Sequence, residues 1–216
     1  SMTYNEIWIS PHFGYSIDYY KYRYNTDKVF VVPYFWEPVN IMQPITKPLD
    51  DINIAIVEPN LNYIKSCLIP IIICEKAKKL INKAYSFGSL KLYNQSGAFR
   101  DFVSQSELYS QKRLILDDRR IFSWIMSNWA NVVLSFVDNC DLNFVFFECF
   151  YLGIPLIHNS EMLKDWGFYY PKCDAEKAYQ HIKYLKEGNF NRQEYIERHK
   201  PLLYKYSMKN SENMEF

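Results

Sequence analysis

The chain has 216 residues, a formal net charge of +1, and 49% hydrophobic and 18% aromatic residues. Such a composition is typical of a globular protein with a large core, and the balanced charge gives no indication of a nucleic-acid partner. We expect neither a secretory signal nor a membrane span, because no apolar run is long enough. The 5 cysteines and 4 histidines are scattered, which argues against a disulfide framework and a metal site. We expect a cytoplasmic protein.

The amino-terminal part of the chain predicts one β-α-β unit. Strands are predicted at residues 7–10 and 29–32, with a Tyr-rich helix at 15–24 between them. Three prolines then follow without any periodicity, Pro38, Pro44 and Pro48. This stretch predicts an extended linker.

Strands and helices alternate through the rest of the chain. Strands are predicted at residues 54–57, 89–93, 113–116, 131–136 and 154–157. Helices are predicted from Tyr63 or Ser66 to Lys83, at 98–108, after a cap at Asp117-Asp118, and at 144–152, 174–187 and 192–206. The alternation predicts an α/β fold, a Rossmann-like parallel sheet with helices on both faces.

The carboxyl ends of parallel strands lie on one edge of the sheet, where ligands bind. The loops at this edge are predicted at 58–65, 94–97, 117–120, 137–143 and 158–161. Helix amino termini also point there and favour anions, which suits a phosphorylated ligand such as a nucleotide. The GxGxxG and GxxxxGK[ST] fingerprints are missing, which disfavours a dinucleotide dehydrogenase and a P-loop ATPase.

One acid lies inside an otherwise apolar predicted helix. Glu148 is surrounded in sequence by Val145, Phe146, Phe147, Cys149 and Phe150, and Gly153 is placed to end the helix. A buried carboxylate needs a partner or a ligand. Three interpretations stay open: a ligand-binding acid, a structural ion pair and a surface position.

Several motifs resemble those of known glycosyltransferases. The run of Leu142-Asn143, Glu148, Gly153 and Pro155 resembles the donor-binding motif of GT-B glycosyltransferases. The wider match is similar to a glycosyltransferase-like family of bacteria and giant viruses. The matching segments are Ser10-Pro11-His12, residues 32–38 (VPYFWEP), Glu58-Pro59-Asn60 with Lys65 and Cys67-Leu68-Ile69-Pro70, residues 142–159, and residues 167–171 (GFYYP).

This resemblance implies a fold and a function. Residues 1–45 would be the end of an amino-terminal lobe with its hinge, and residues 46–216 a Rossmann-like lobe that binds a nucleotide sugar. The chain would then be the donor-binding portion of a glycosyltransferase, with a UDP-sugar as donor substrate and a glycan or protein as acceptor. No cofactor and no metal are expected, and this portion alone should bind the donor without turnover. The high aromatic content is typical of a protein–protein interface, so the question of a homo-oligomer stays open.

Site roles follow from the same resemblance. Glu148 would accept hydrogen bonds from the ribose diol, and the backbone amides near Asn143 and Phe144 would meet the pyrophosphate. Lys65 would neutralise the pyrophosphate, or it is a solvated lysine at a helix start. Arg119 or Arg120 would do likewise or line the base pocket, or they belong to a charged helix face.

The remaining candidates have structural alternatives. Asn60 and Asn159 are loop amides that either hold sugar hydroxyls or cap turns. His158 follows a strand directly, and a structural histidine is the alternative to a ligand contact. Retaining GT-B enzymes carry a second Glu at the position of Cys140, so retention or inversion of stereochemistry stays open. A function of another class also stays open: a catalytically inactive Rossmann-like binding or assembly module.

Overall fold

The computed structural model describes residues 5–38, 47–60 and 64–214 of the chain. The predicted linker falls largely on residues 39–46, and residues 61–63 belong to the predicted loop at 58–65; both lie outside the described residues. The strands are β1 (Ile7–Ile9), β2 (Val29–Val31), β3 (Ile52–Ile56), β4 (Ile81–Phe87), β5 (Leu114–Asp117), β6 (Val132–Leu134), β7 (Leu156–His158) and β8 (Phe168–Tyr169). The α-helices are α1 (Ile17–Tyr24), α2 (Leu68–Lys76), α3 (Leu90–Gln95), α4 (Gly97–Ser104), α5 (Glu107–Ser110), α6 (Phe122–Asn128), α7 (Phe144–Leu152), α8 (Ala175–Lys186) and α9 (Arg192–Lys205).

A six-stranded sheet forms the centre of the protein. Its strand order is β5-β4-β3-β6-β7-β8, and every neighbouring pair is parallel. The chain runs outward from β3 to β5 and then returns to place β6 on the other side of β3. The carboxyl ends of β3 and β6 therefore form a topological switch point, where ligands of such sheets bind.

Helices cover both faces of this sheet and create two cores. One core lies under α2, α4, α5 and α8 and includes Ile54, Ile71 and Ile182. The other lies under α6, α7 and α9 and includes Val133 and Phe147. Strands β3 and β6 contribute residues to both cores, as expected of strands buried on both faces. The predicted fold class is confirmed.

The amino-terminal β-α-β unit is also confirmed. β1 and β2 pair in parallel, with Ile7 opposite Val29, in a separate two-stranded sheet. The segment after β2 joins this unit to the main body. Trp36 is buried and stacks on Phe147 of α7 at 6.0 Å between ring centroids. Its backbone N–H donates to the carbonyl of Tyr206 at 2.9 Å.

Two predicted elements were wrong. The helix predicted to reach Lys83 ends at Lys76, and residues 81–87 form strand β4 instead. Residues 89–93, predicted as a strand, lie mostly in helix α3. In β4 the adjacent polar residues Asn82 and Lys83 break the alternation that would indicate a strand, and the pairing with β3 and β5 on either side makes it one.

Smaller differences concern caps and short elements. Asp117 and Asp118 do not cap α6, which begins after Ile121 without a side-chain cap. The helix predicted at 98–108 divides into α4 and α5, and β8 was not predicted. Pro70 lies in the first turn of α2, where its missing N–H is not needed. Within the described ranges, no helix combines the length and apolar character needed to cross a bilayer.

Candidate functional site

The loops after β3 and β6 are joined to each other at the switch point. The N–H of Asp138 donates to the carbonyl of Ile64 at 2.7 Å, and Lys65 forms an isolated antiparallel bridge with Val137. The side-chain amide of Asn159, from the loop after β7, hydrogen-bonds to the backbone of Val137. Three loops from neighbouring strands therefore form one continuous edge, and Lys65 is part of it.

Helix α7 begins at this edge. Asn143 is its N-cap, and the side-chain oxygen of Asn143 accepts from the N–H of Val145 at 3.2 Å. Phe144 is the first helical residue and is 58% exposed, and its N–H has no acceptor inside the helix. Gly153 ends the helix with a φ of 69°, as predicted. The start of α7 therefore presents amide donors and positive helix-dipole charge at the switch point.

Glu148 lies one turn beyond Phe144 on the same side of α7. Its side chain is half-buried, and burial raises its pKa above the ordinary value. Within the described residues, no hydrogen bond or ion pair to Glu148 is found, so the ion-pair interpretation has no partner there. Its charge also helps to raise the pKa of Tyr34, which packs on Phe144 at 5.3 Å between ring centroids. The acid therefore faces the junction between the amino-terminal unit and the sheet.

A second acid, Glu58, is an important residue that the sequence prediction did not assign. It is 1% exposed and lies just after β3. Ser135 donates its hydroxyl to one carboxyl oxygen, while the other is buried without a partner in the described part of the chain. Burial raises the pKa of Glu58 to about 7, against the opposing effect of the Ser135 hydrogen bond. An acid directly after an apolar strand was the available signal.

Asn60 and Asn159 use their side-chain amides within the loops. Asn60 has a positive φ of 54°, donates to the carbonyl of Glu58 at 2.8 Å and accepts from the N–H of Cys67 at 2.7 Å. Asn159 donates to the carbonyl of Val137 and accepts from the N–H of Val137, each at 2.8 Å. Both amides thus stabilise the edge itself, which corresponds to the turn-capping alternative.

His158 is fully buried, with both ring nitrogens occupied. Its Nε2 lies 2.8 Å from the carbonyl of Trp166, and its Nδ1 accepts from the N–H of Ser160 at 3.2 Å. Burial lowers its pKa to about 4, so the ring is neutral and donates from Nε2. This geometry corresponds to the structural alternative for His158.

The two arginines have different surroundings. Arg119 and Arg120 are both exposed and follow β5, which is separated from β6 by two strands. Arg120 pairs with Asp117 at 3.1 Å, and its guanidinium lies 5.7 Å from the ring centroid of Trp124. Arg119 lies nearer the switch point, because a Cβ on Gly88 would lie 3.3 Å from the carbonyl oxygen of Glu58 and 3.4 Å from Cγ of Arg119. The structure therefore brings Lys65 to the loop that leads to Asn143 and α7, directs Arg119 toward the loop after β3, and engages Arg120 locally.

Asp141, which lies beside the position of the second acid in retaining GT-B enzymes, has a local role. One of its oxygens accepts from the N–H of Glu161 at 2.6 Å and of Met162 at 3.4 Å. The carboxylate thus holds the turn after β7 against the loop after β6. In the described part of the chain, no cluster of three or more His, Cys, Asp or Glu side chains is arranged to hold a metal ion.

Two cavities in the described part of the chain are large enough to consider. One of about 690 Å³ lies between α2, α3 and α4, with an apolar lining and Asn60 and Ser66 at its rim. Another of about 400 Å³ lies between Trp36, Tyr151 and the end of α9. Neither is lined by Glu148, so a ligand of that acid would lie in the open crevice between the amino-terminal unit and the switch point.

Solved structures with a similar fold are glycosyltransferases. TarM is similar over 98% of this chain and 42% of its own, with a TM-score of 0.63 and 11% identity. A TarM variant from S. aureus in complex with Fondaparinux, alpha-GlcNAc-glycerol and UDP has a TM-score of 0.61 at 12% identity, over 97% of this chain and 40% of its own. Sucrose-phosphate synthase from Thermosynechococcus elongatus has a TM-score of 0.52 at 13% identity, over 89% and 53%.

These similarities establish the fold: the six-stranded sheet has the architecture of a GT-B glycosyltransferase lobe. The chain spans less than half of the length of TarM. Comparison with curated protein sequences finds no significant match. A family model described as "Protein of unknown function (DUF2827)" matches residues 1–216, and the chain therefore belongs to the DUF2827 family.

Proposed function

We propose that this chain is the donor-binding portion of a glycosyltransferase and binds a nucleotide diphosphate sugar, with UDP as the expected nucleotide. The observation that carries this proposal is Glu148. Its carboxylate is half-buried at the switch point, and no partner for it is found in the described residues. A carboxylate in that setting gains most from a ligand that donates hydrogen bonds, and a ribose diol donates two.

Hydrogen-bond donors and positive charge, which bind a diphosphate, lie near Glu148. The amides at Asn143 and Phe144 lie at the start of α7, where the helix dipole is positive. Lys65 lies on the neighbouring loop at the same edge. Its Nζ has no hydrogen bond or ion pair within the described part of the chain, and its charge partly offsets the rise that burial causes in the pKa of Glu58. The S. aureus TarM variant of the same fold was solved with UDP, which supports the choice of nucleotide.

In this arrangement the protein needs no metal to stabilise the leaving diphosphate. Lys65 and the α7 amides would meet the negative charge that develops as the bond between the sugar and the phosphate breaks. Glu148 would hold the ribose and so fix the position of the diphosphate relative to the helix. Asn60, Asn159 and Glu58 would keep the loops of the edge in place rather than contact the donor.

The test is nucleotide binding, because the chain spans 42% of the TarM length and turnover belongs to the whole protein. UDP, GDP and their sugars are titrated by calorimetry and by melting temperature. A nucleoside diphosphate should raise the melting temperature, since it binds only the folded state. Glu148→Ala should abolish the rise. The control Glu187→Ala removes an exposed acid at the end of α8 and should leave the rise unchanged.

An inactive binding or assembly module is the second candidate. The amino-terminal unit exposes several aromatic side chains, including Trp8, Tyr15 and Tyr22, which suits contact with another protein. No change in melting temperature with any nucleotide, together with self-association or partner binding that is lost in Trp8→Ser, would favour this candidate over the transferase.

A further inference from the structure

The Ser10-Pro11-His12 turn has no role in the function proposed above. It follows β1, and Pro11 opens a short 3₁₀ helix at Pro11–Ser16. The hydroxyl of Ser10 lies 3.1 Å from Nδ1 of His12, and the imidazole packs against Phe13 at 4.0 Å between ring centroids. No partner for the other ring nitrogen, Nε2, is found among the described residues. The turn therefore fixes the imidazole while leaving one nitrogen available.

Aromatic contacts place this imidazole above the start of α7. The ring of His12 meets the ring of Tyr34 edge-on at 6.4 Å, and Tyr34 packs on Phe144 at 5.3 Å and on Phe147 at 5.5 Å. The hydroxyl of Tyr34 is buried without a partner in the described part of the chain. His12 thus lies across the crevice from the amides proposed to bind the diphosphate.

The charges near His12 come from both loops of the switch point. Burial lowers the pKa of His12, Asp141 raises it and Lys65 lowers it. Lys65 follows β3 and Asp141 follows β6, so the imidazole lies close to both loops. Asp141 already accepts from the N–H groups of Glu161 and Met162. For Nζ of Lys65 and Nε2 of His12, no hydrogen-bond partner is found among the described residues.

We propose that His12 donates a hydrogen bond from Nε2 to the diphosphate of the nucleotide donor, opposite Lys65 and the start of α7. This inference rests on the proposed function. A neutral imidazole whose Nδ1 accepts from the Ser10 hydroxyl carries its proton on Nε2, which makes that nitrogen a donor. Phosphate oxygens are strong acceptors. The diphosphate would then be held by the amino-terminal unit on one side and by the six-stranded sheet on the other.

A comparison of ligands with and without phosphates tests the contact. UDP and uridine, with GDP and guanosine in parallel, are titrated by calorimetry against the wild-type protein, His12→Ala and His12→Gln. We expect His12→Ala to weaken UDP about tenfold, the effect of losing one hydrogen bond to a charged group, and to leave uridine unchanged. His12→Gln retains an amide donor near the position of Nε2 and should recover part of the affinity. Tyr22→Ala, 90% exposed on the same unit, is the control and should bind like the wild type.

A spectroscopic measurement on the wild-type protein avoids any folding defect of the variants. In a long-range ¹H–¹⁵N spectrum, UDP should shift the Nε2 resonance of His12, whereas uridine should not. Equal weakening of UDP and uridine in His12→Ala, or no shift of Nε2 with UDP, would overturn the inference. If the wild-type protein binds UDP in a Glu148-dependent way and His12→Ala binds it equally well, only the role of His12 fails. If no nucleoside diphosphate binds, the proposed function fails and the role of His12 fails with it.

Discussion

Replacing Glu58 by Gln should make the protein more stable at alkaline pH than at acidic pH, relative to the wild type. Burial raises the pKa of Glu58 from 4.5 to about 7, so the folded state binds this proton more tightly than the unfolded state. The contribution of Glu58 to stability is therefore complete below pH 4.5 and is lost as the pH rises through about 7. At about 1.4 kcal/mol for each pKa unit, the loss approaches about 3 kcal/mol.

Glu58→Gln keeps the shape and retains an oxygen that accepts from the Ser135 hydroxyl, but it carries no charge. Urea unfolding followed by tryptophan fluorescence at about pH 5 and at about pH 8.5 gives the free energy of unfolding of both proteins. The difference between variant and wild type should rise by about 3 kcal/mol between these conditions. A buried amide without a partner costs the same at both pH values, so only the change with pH is diagnostic.

The matched control is Glu187→Gln, because Glu187 is an exposed acid at the end of α8. Its difference from the wild type should not change with pH. A difference for Glu58→Gln that stays constant or falls with rising pH would refute the reasoning. Such a result would mean that the second oxygen of Glu58 finds a partner in solution.

Three further predictions concern glycines, histidines and the candidate acid. Gly153→Ala should lower the free energy of unfolding in urea by about 3 kcal/mol, because Gly153 has a positive φ and the new methyl would lie 2.8 Å from side chains of α9. Gly188 also has a positive φ but lies in open space, so Gly188→Ala should lower it by about 1 kcal/mol; equal losses would contradict this. Burial lowers the pKa values of His158 and His199 from 6.5 to about 4, so their contribution to stability is present above pH 6.5 and should be lost as the pH falls toward 4. This loss should exceed the opposing gain from the two carboxyls with raised pKa values, Glu58 and Glu148, and unfolding free energies that rise on acidification would disprove it. Glu148→Gln should raise the melting temperature without nucleotide and weaken UDP binding, and a lower melting temperature would point to a structural ion pair.

Local signals in the sequence were sufficient to predict helix α7 and both of its ends. Asn143 caps the helix, Gly153 ends it, and the prediction at 144–152 agrees with Phe144–Leu152. Both signals act through backbone groups within a few residues, so no distant contact is needed to interpret them. The β-branched strands and the α/β alternation are equally local, and the fold class follows from them.

Side-chain partners that are distant in sequence limited the prediction of the site. Asn159 binds the backbone of Val137, and His199 of α9 accepts from the N–H of Gly167 at 2.9 Å. These pairs exist only after the strands are ordered in the sheet. The amide of Asn159 therefore looks available in the sequence and is occupied in the structure.

Apolar periodicity and helix capping act over a few residues, so they can be recognised without the fold. They were enough to predict the α/β class, the order of most elements and an acid within the apolar helix α7. Which polar side chains are free to bind a ligand depends on contacts that form in the folded chain. Backbone groups hydrogen-bond to the side chains of Asn60, Asn159 and His158. Glu58 is buried, and Lys65 pairs with Val137 in the loop that leads to α7. The physical reason is that a polar side chain satisfies its hydrogen bonds with whatever the folded chain brings within reach, whatever the separation in sequence.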